Sequence, residues 1–352
     1  CLEFAGRRVP VPRYHMPAVV KRSAGYYATE GMDLIDLFIG SEGTLGVIVD
    51  VTFRVLAPAP AFATAFVSCD SEAQGIALAT ALRNASLATR ASRDPRGIEV
   101  SAIEHMDRRC IEILIEDGVA ARENVAIPDS SQMLMLVQLE LPPDTTAEAA
   151  YEQIAAAATR TAADTPLVRF CRLLDSFNLL ARTELALPGD KRRVEQLLRV
   201  REAVPAGVNH RVGVAKRTMD ERIAKTAADM IVPFEHFGEM QAIYRRGFES
   251  RGLDYAIWGH ISDGNVHPNV IPRSFEDVEK GYDAILEFGR EVARLGGCPL
   301  AEHGVGRNPV KQALLRQLYG EDGIDDMRAV KRVFDPEWKL APGVIFPRDP
   351  AR

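Results

Sequence analysis

Residues 258–269 have the sequence Trp258-Gly-His-Ile-Ser-Asp-Gly-Asn-Val-His-Pro-Asn269, which predicts a β-hairpin. Asp263-Gly264 is a favoured two-residue type I′ turn, because both central positions need a positive φ. Such a turn pairs His260 with His267 and places their Cβ atoms roughly 5 Å apart. Two imidazoles at that separation are able to bind one divalent metal ion. The chain has only 7 histidines, so this spacing points to a shared role.

A third metal ligand is expected in the segment Ala301-Glu-His-Gly-Val-Gly306. Glu302 and His303 would point to opposite faces of a regular strand, but Gly304 and Gly306 would allow the backbone to turn both into one cavity. Glu302 then completes a His-His-Glu set, which is typical of a catalytic zinc-type site with an open position. His303 would be free to act as a general base. The alternative is structural, with the histidines bonded to backbone and Glu302 paired with an arginine.

Other segments carry weaker signals. The glycines of Gly40-Ser-Glu-Gly-Thr-Leu-Gly46 allow close approach to a phosphate or a flavin ring, although a plain tight turn has the same composition. Arg201, in Arg201-Glu-Ala-Val-Pro205, is able to bind a substrate carboxylate through two hydrogen bonds, or is a surface arginine on a helix. Lys225 and Asp229 are ambiguous in the same way.

The composition is that of a soluble globular protein of 352 residues, with 47% hydrophobic and 26% charged residues. A net charge of -6 gives no reason to expect nucleic-acid binding. The five cysteines are widely spaced and form no CxxC motif, which favours reduced thiols in the cytoplasm. No apolar run is long enough to span a bilayer.

Intermixed strands and helices predict an α+β fold rather than a doubly wound parallel sheet. Residues 1–57 end in an alternating, strand-like run at 46–56, and Pro58-Ala-Pro60 marks a boundary to a second domain, 58–352. The predicted strands of this second domain are 61–69, 132–141, 167–174, 254–260 and 266–271. The predicted helices are 71–85, 99–116, 145–161, 190–204 (ended by Pro205), 233–251, 274–295, 309–319 and 324–334.

Taken in order, the motifs resemble the FAD-linked oxidase family of the vanillyl-alcohol-oxidase type. Within that family they are similar to D-lactate, glycolate and D-2-hydroxyglutarate dehydrogenases. The segments that carry the resemblance are Asp36-Leu-Phe-Ile-Gly-Ser-Glu-Gly-Thr-Leu-Gly-Val-Ile48, Gly259–His267, Ala301–Gly306, and Lys331 to Asp335-Pro336 followed by Pro342-Gly343. The resemblance implies an antiparallel-sheet-and-helix substrate domain, preceded by the C-terminal remnant of an FAD-binding domain.

The resemblance also implies a mechanism. FAD would accept a hydride from a D-2-hydroxy acid, with a zinc or manganese ion held by His260, His267 and Glu302. His303 would take the hydroxyl proton, Asn269 would line the pocket, and Arg201 would bind the carboxylate. The FAD loop would comprise Gly40, Ser41, Glu42, Gly43, Thr44, Gly46 and Ile48. The expected partners are a small 2-hydroxy acid, an electron-accepting protein or quinone, and a second copy in a homo-oligomer, in the cytoplasm or peripheral to the inner membrane.

Three departures from the family pattern stand out. Ser262 replaces a common glycine, and Ala341 replaces a frequent asparagine before Pro342-Gly343. The loop for the FAD pyrophosphate has no counterpart, so residues 1–57 are expected to be a remnant that is ordered only by packing on the rest. The alternatives are a same-fold FAD transferase similar to alkyl-dihydroxyacetone-phosphate synthase, or a metal-binding module without flavin.

Overall fold

The computed structural model of the protein describes residues 2–55, 60–159 and 162–347. The strands are β1 (Leu2–Phe4), β2 (Arg7–Val9), β3 (Ala61–Cys69), β4 (Val100–Met106), β5 (Met133–Leu141), β6 (Thr183–Ala186), β7 (Thr226–Ala227), β8 (Met230–Ile231), β9 (Tyr255–His260) and β10 (Asn265–Val270). The α-helices are α1 (Glu72–Ser92), α2 (Arg108–Glu116), α3 (Val119–Arg122), α4 (Ala147–Ala156), α5 (Pro166–Ser176), α6 (Lys191–Thr218), α7 (Phe237–Glu249), α8 (Phe275–Arg294) and α9 (Pro309–Phe334).

An antiparallel sheet organises the molecule, with the strand order β6-β3-β5-β4-β9-β10-β7 and with β8 also paired to β10. Helices cover both faces, as the alternation along β5 shows. Met133, Met135 and Val137 pack into the apolar cluster that contains α1, α7 and α8. Leu134 and Leu136 pack into the cluster that contains α2 and α6. The mixed helix and antiparallel-sheet fold confirms the predicted α+β class.

The hairpin of β9 and β10 has a different turn from the one predicted. His260 pairs with Asn265 and Trp258 pairs with His267, so the register differs by two residues from the predicted one. The connection is a 3₁₀ turn over Ile261–Asp263 that ends at Gly264, where φ is 85°. Only one turn residue therefore needs a positive φ. Because side chains alternate with a period of two, a shift of two residues leaves both histidines on the predicted common face.

Several element predictions are wrong for identifiable reasons. Residues 99–116 divide into β4, which lies between β5 and β9, and α2, which begins after the N-cap residue Asp107. The predicted strand 167–174 lies within α5, whose N-cap is Thr165 and whose first residue is Pro166. The predicted helix end at Pro205 is also wrong, because α6 continues to Thr218 with a buried face on either side of the proline.

The segment 2–55 packs against the rest of the chain. Tyr26 and Leu37 are fully buried in the same apolar cluster as Met327 of α9. The predicted strand 46–56 is wrong over its described residues, where 46–55 contain no strand and Val49 is 92% exposed. No strand of the described residues pairs with this stretch, so its alternation of apolar and polar residues does not produce a strand. The predicted domain boundary falls mainly on residues 56–59, outside the described residues.

Within the described ranges, no helix combines the length and the apolar character needed to cross a membrane.

Candidate metal and substrate site

The hairpin places the candidate ligands on one face of the sheet. His267 is opposite Trp258, and His260 is opposite Asn265, so side chains from both strands alternate onto the face that α6 covers. The imidazole centroids of His260 and His267 are 5.7 Å apart. The sheet therefore brings both histidines to one site as diagonal neighbours rather than direct partners.

The segment that carries Glu302 and His303 is turned by backbone hydrogen bonds. Asp229 Oδ2 accepts hydrogen bonds from the N–H groups of both residues at 2.7 Å. Beyond them the chain passes through Gly304 at φ 64° and Gly306 at φ 61°. This conformation is readily available only to glycine and brings both side chains to one cleft. Asp229 is thus a positioning residue whose role the sequence did not reveal.

Three imidazoles surround one carboxylate oxygen. Glu302 Oε1 lies 3.2 Å from His260 Nε2, 3.4 Å from His267 Nε2 and 3.3 Å from His303 Nε2. The ligand atoms of His260, His267 and Glu302 all lie within 4.8 Å of one another. Two neutral imidazoles and a carboxylate form a donor set that suits zinc or manganese. The residues present therefore fit a divalent ion.

Glu104 orients the His260 ring through a hydrogen bond with Nδ1. His260 Nδ1 donates a hydrogen bond of 2.8 Å to Glu104 Oε1, which leaves Nε2 as the ligand atom. Glu104 lies opposite His260 in the β4–β9 ladder. The sequence prediction missed this role because it treated residues 99–116 as helical. Asp107, the N-cap residue of α2, was the signal that the segment divides into a strand and a helix.

Arg201 lies in the cleft but is not free. Its Nε and Nη2 donate to Glu104 Oε2 at 3.1 and 2.7 Å. Burial alone would raise the pKa of Glu104, but the hydrogen bond with His260 and the charge of Arg201 hold it below its ordinary value. Glu104 therefore stays ionised between the His260 ring and the Arg201 guanidinium.

Lys21, from the N-terminal segment, forms an ion pair with the second carboxylate oxygen of Glu302. Its Nζ lies 2.9 Å from Glu302 Oε2, 3.0 Å from Asp263 Oδ2 and 3.2 Å from Asn265 Oδ1. The two oxygens of Glu302 are thus divided between the histidines and Lys21. Nothing in the local sequence around Lys21 indicated this contact.

His303 and Asn269 border the same cleft, which has a volume of about 660 Å³. The His303 ring stacks on His267 with a centroid distance of 4.8 Å, and its side chain is 57% exposed. Partial burial and the neighbouring His267 lower the pKa of His303, against the opposing charge of Asp229. Asn269 donates to the carbonyl oxygen of His267 at 2.8 Å, and its own buried Oδ1 has no partner among the described residues.

The glycine-rich loop is attached to this site by Glu42. The Glu42 carboxylate accepts hydrogen bonds from the N–H groups of Val305 and Gly306 at 2.8 and 2.7 Å. Gly40 and Gly43 have positive φ, and a Cβ at either would meet no atom nearer than 4.0 Å. The backbone there is open to a large ligand such as a flavin.

The other predicted cofactor residues differ in environment. Ser41 and Thr44 are buried, Gly46 packs beside Phe38, and Ile48 is exposed. The hydroxyls of Ser41 and Thr44 bond within the loop, to the carbonyl oxygens of Phe38 and Ser41. Their contacts hold the shape of the loop.

Comparison with known proteins identifies the family of this chain. Residues 71–345 match the family model described as "FAD linked oxidases, C-terminal domain". The chain is 26% identical over 337 residues to the glycolate oxidase subunit GlcD of Bacillus subtilis, covering 93% of this chain and 60% of that protein. It is 28% identical over 335 residues to the D-2-hydroxyglutarate dehydrogenase of Xanthomonas citri pv. viticola, covering 94% of this chain and 59% of that protein.

Among solved structures, p-cresol methylhydroxylase with bound substrate aligns with a TM-score of 0.55 at 16% identity, covering 92% of this chain and 59% of that one. That likeness shows a shared fold. The chain thus spans about three fifths of the length of these relatives. Because the family model matches more than half of the chain, the protein belongs to the FAD-linked oxidases and carries their C-terminal domain.

Proposed function

We propose that the chain is the substrate- and metal-binding portion of an FAD-dependent dehydrogenase. In this proposal, the dehydrogenase oxidises a D-2-hydroxy acid of the D-lactate, glycolate or D-2-hydroxyglutarate type to the 2-oxo acid. The observation that carries the proposal is the convergence of His260, His267 and His303 on Glu302 Oε1 within one cleft. The relatives named as glycolate oxidase subunit and D-2-hydroxyglutarate dehydrogenase support the substrate class.

Each residue has a defined role in this proposal. His260, His267 and Glu302 would hold the divalent ion. The ion would supply Lewis-acid chemistry that lowers the pKa of the substrate hydroxyl, and FAD would supply the hydride acceptor. His303 takes the hydroxyl proton at Nε2. Arg201 binds the substrate carboxylate through a guanidinium that Glu104 keeps in position, and Asn269 orients the substrate.

The glycine-rich loop is proposed to contact FAD. Gly40, Gly43 and Gly46 allow close approach of the backbone, while Ser41, Glu42, Thr44 and Ile48 complete the loop. Residues 1–57 would then belong to the FAD-binding domain and 58–352 to the substrate domain. Electrons would pass from the flavin to a quinone, a cytochrome or another flavoprotein.

Two histidine variants separate metal binding from proton transfer. We expect His303→Ala to retain one zinc or manganese per chain but to lose turnover, because it removes the base and no ligand. We expect His267→Ala to lose the metal itself. The exposed His210→Ala serves as the matched control.

The measurements are metal stoichiometry, the visible flavin spectrum, and formation of 2-oxo acid from D-lactate, glycolate and D-2-hydroxyglutarate with a dye as electron acceptor. Stoichiometric metal in His267→Ala would refute the ligand set. Unchanged turnover in His303→Ala would remove its proposed role as base.

A further inference from the structure

Both carboxylate oxygens of Glu42 bind the segment that carries the candidate base. Oε1 accepts a hydrogen bond from the N–H group of Val305 at 2.8 Å, and Oε2 accepts one from the N–H group of Gly306 at 2.7 Å. Hydrogen bonds to an ionised acceptor are roughly twice as strong as those between neutral groups. Although Glu42 belongs to the glycine-rich loop that is predicted to contact FAD, its side chain is therefore bound to the candidate metal and substrate site.

The backbone on both sides of this contact has an unusual conformation. Glu42 has a φ of 54°, in a region that residues other than glycine adopt rarely and where the surrounding contacts must hold them. Across the contact, Gly304 has a φ of 64°, and a Cβ there would lie 2.8 Å from Glu42 Oε1. Gly304 thus leaves free the space that the Glu42 carboxylate occupies.

Two carboxylates from distant parts of the chain hold the backbone around His303. Asp229 Oδ2 accepts hydrogen bonds from the N–H groups of Glu302 and His303, whereas Glu42 holds the backbone beyond His303. The His303 side chain is 57% exposed, so packing fixes it less than it fixes His267, whose side chain is 9% exposed. The position of the His303 ring therefore depends more on the backbone that carries it.

We propose that Glu42 is a positioning residue for His303, through which the glycine-rich loop sets the position of the proton-accepting imidazole. This inference rests on the proposed function and adds a residue to it. A 2-hydroxy acid loses a hydride from Cα and a proton from the adjacent hydroxyl, so the two accepting groups must be placed accurately relative to each other. A side chain that joins the glycine-rich loop to the backbone beside His303 meets that requirement.

The NMR signals of the histidine rings test this role without turnover. Glu42→Ala removes both acceptors, and Glu30→Ala, at an exposed glutamate of the same N-terminal segment, is the matched control. The histidine Cε1 atoms are isotopically labelled, and the His303 signal is the one that His303→Ala lacks. With or without zinc, we expect Glu42→Ala to shift that signal, because the ring no longer keeps one position against His267. Glu42→Gln retains one acceptor oxygen and should give an intermediate shift.

Two glycine variants test the same contact from the other side. Gly304→Ala places a methyl group where the Glu42 carboxylate lies, whereas a Cβ at Gly306, at a similar φ of 61°, would meet no atom within 4 Å. Gly304→Ala and Gly306→Ala therefore share the backbone strain and differ in whether they displace Glu42. We expect Gly304→Ala to shift the His303 signal as Glu42→Ala does, and Gly306→Ala to leave it near its native position. Thermal unfolding of each variant verifies that it is folded.

Zinc affinity and turnover separate positioning of the base from general stabilisation. Zinc affinity should change by less than about threefold in Glu42→Ala, because Asp229 still fixes the ligand Glu302. In the FAD-loaded protein, Glu42→Ala should lower kcat for oxidation of the 2-hydroxy acid roughly 10–100-fold, the scale of a misplaced catalytic group, and change KM by less than about threefold. A residue that only attaches the N-terminal segment would lower the melting temperature and leave kcat and the His303 signal unchanged.

The outcomes separate this inference from the proposed function. An unchanged His303 signal or an unchanged kcat in folded Glu42→Ala would overturn the positioning role, and native turnover would still leave the proposed reaction intact. Equal shifts in Gly304→Ala and Gly306→Ala, or loss of zinc from Glu42→Ala, would also overturn it, because the effect would then not reach His303 through the Glu42 carboxylate. A His303 signal that depends on Glu42, in a protein that oxidises no 2-hydroxy acid, would support the positioning of His303 and refute the proposed function.

Discussion

At the scale of single residues, the candidate site is organised around the Glu302 carboxylate, which contacts three histidines and one lysine. One carboxylate oxygen lies among three imidazoles and the other lies against Lys21. Asp229 fixes the backbone of Glu302, and Glu104 fixes the ring of His260. The candidate ligands are therefore held in place before any ion binds, which reduces the ordering that binding requires.

Glu104 is expected to control metal affinity without being a ligand. Glu104→Gln keeps the side-chain shape but removes the negative charge that fixes His260 and supports its basicity. We expect zinc or manganese affinity to fall by roughly 10–100-fold, the range typical of such supporting carboxylates. Competition with a chromophoric chelator measures the affinity. Glu195→Gln, at an exposed residue of α6 that pairs with Arg199, should bind metal as the native protein does.

Lys21 is expected to stabilise the metal-free protein. Lys21→Met leaves Glu302 and Asp263 without their cationic partner, so the metal-free form should lose about 1 kcal/mol of unfolding free energy. A divalent ion restores positive charge at Glu302, so the increase in melting temperature on adding metal should be larger in the variant than in the native chain. Lys280→Met, in a surface pair with Glu276, provides the control. An equal metal-induced increase in both proteins would show that Lys21 does not act on Glu302.

Residue types explain how much of the site was predictable. His260, His267, Glu302 and His303 are visible in the sequence because few side-chain types bind metals and the four residues occur in two short motifs, 258–269 and 301–306. The contacts of Lys21 with Glu302 link residues 281 positions apart and depend on packing that no local pattern records.

At the scale of elements, the turn between β9 and β10 sets the position of His267. Gly264 has a φ of 85°, and a Cβ there would lie 2.3 Å from the carbonyl oxygen of Val232. The sequence predicted the hairpin and its common face correctly but not its register, because Asp-Gly also fits the end of a 3₁₀ turn. In the observed register, β10 also pairs with β7 and β8.

Replacement of Gly264 separates steric overlap from backbone strain. Gly264→Ala combines a positive φ with a clash against backbone, so we expect it to lower the unfolding free energy by at least about 2 kcal/mol and to weaken metal binding. Gly252→Ala has a similar φ of 66° but open space around the new Cβ, and should cost only about 1 kcal/mol. Denaturant unfolding of the two variants makes the comparison. Equal losses would mean that the turn adjusts around the added methyl group.

Helix α6 shows why element boundaries were harder to predict. Pro205 removes one backbone hydrogen bond and usually ends or bends a helix. Here Val200, Val204, Val208 and Val212 all pack into one apolar cluster, so tertiary burial outweighs the local signal. Similarly, the apolar run 167–174 fits either a strand or a buried helix, and only its N-cap residue Thr165 favours the latter.

At the scale of the whole molecule, a buried lysine of the C-terminal residues, which is paired with Asp335, also hydrogen-bonds to the N-terminal segment. Lys331 Nζ donates to the carbonyl oxygen of Thr44 at 2.8 Å and to Asp335 Oδ2 at 2.9 Å. The N–H groups of Lys339 and Leu340 donate to the same carboxylate. The glycine-rich loop, the end of α9 and the following turn therefore form one connected unit beside the candidate site.

Lys331→Met should destabilise this unit, because it leaves Asp335 buried without its cation. We expect a loss of about 3 kcal/mol of unfolding free energy at neutral pH. Lys339→Met, at an exposed lysine nearby, should change the unfolding free energy by less than about 0.5 kcal/mol.

The pH dependence of that loss identifies the ion pair. Burial alone would raise the pKa of Asp335, but the hydrogen bonds from Lys331, Leu340 and Lys339 hold it below its ordinary value. A carboxyl group with a lowered folded-state pKa stabilises the protein above its unfolded pKa, and that stabilisation is lost as the pH falls through the folded value. Without Lys331 the pKa of Asp335 is higher, so the difference between native protein and variant should shrink as the pH falls below about 4. Denaturant unfolding of both proteins from pH 7 to pH 3 measures this, and a difference that stays constant over the range would show that Lys331 stabilises the unit by packing alone.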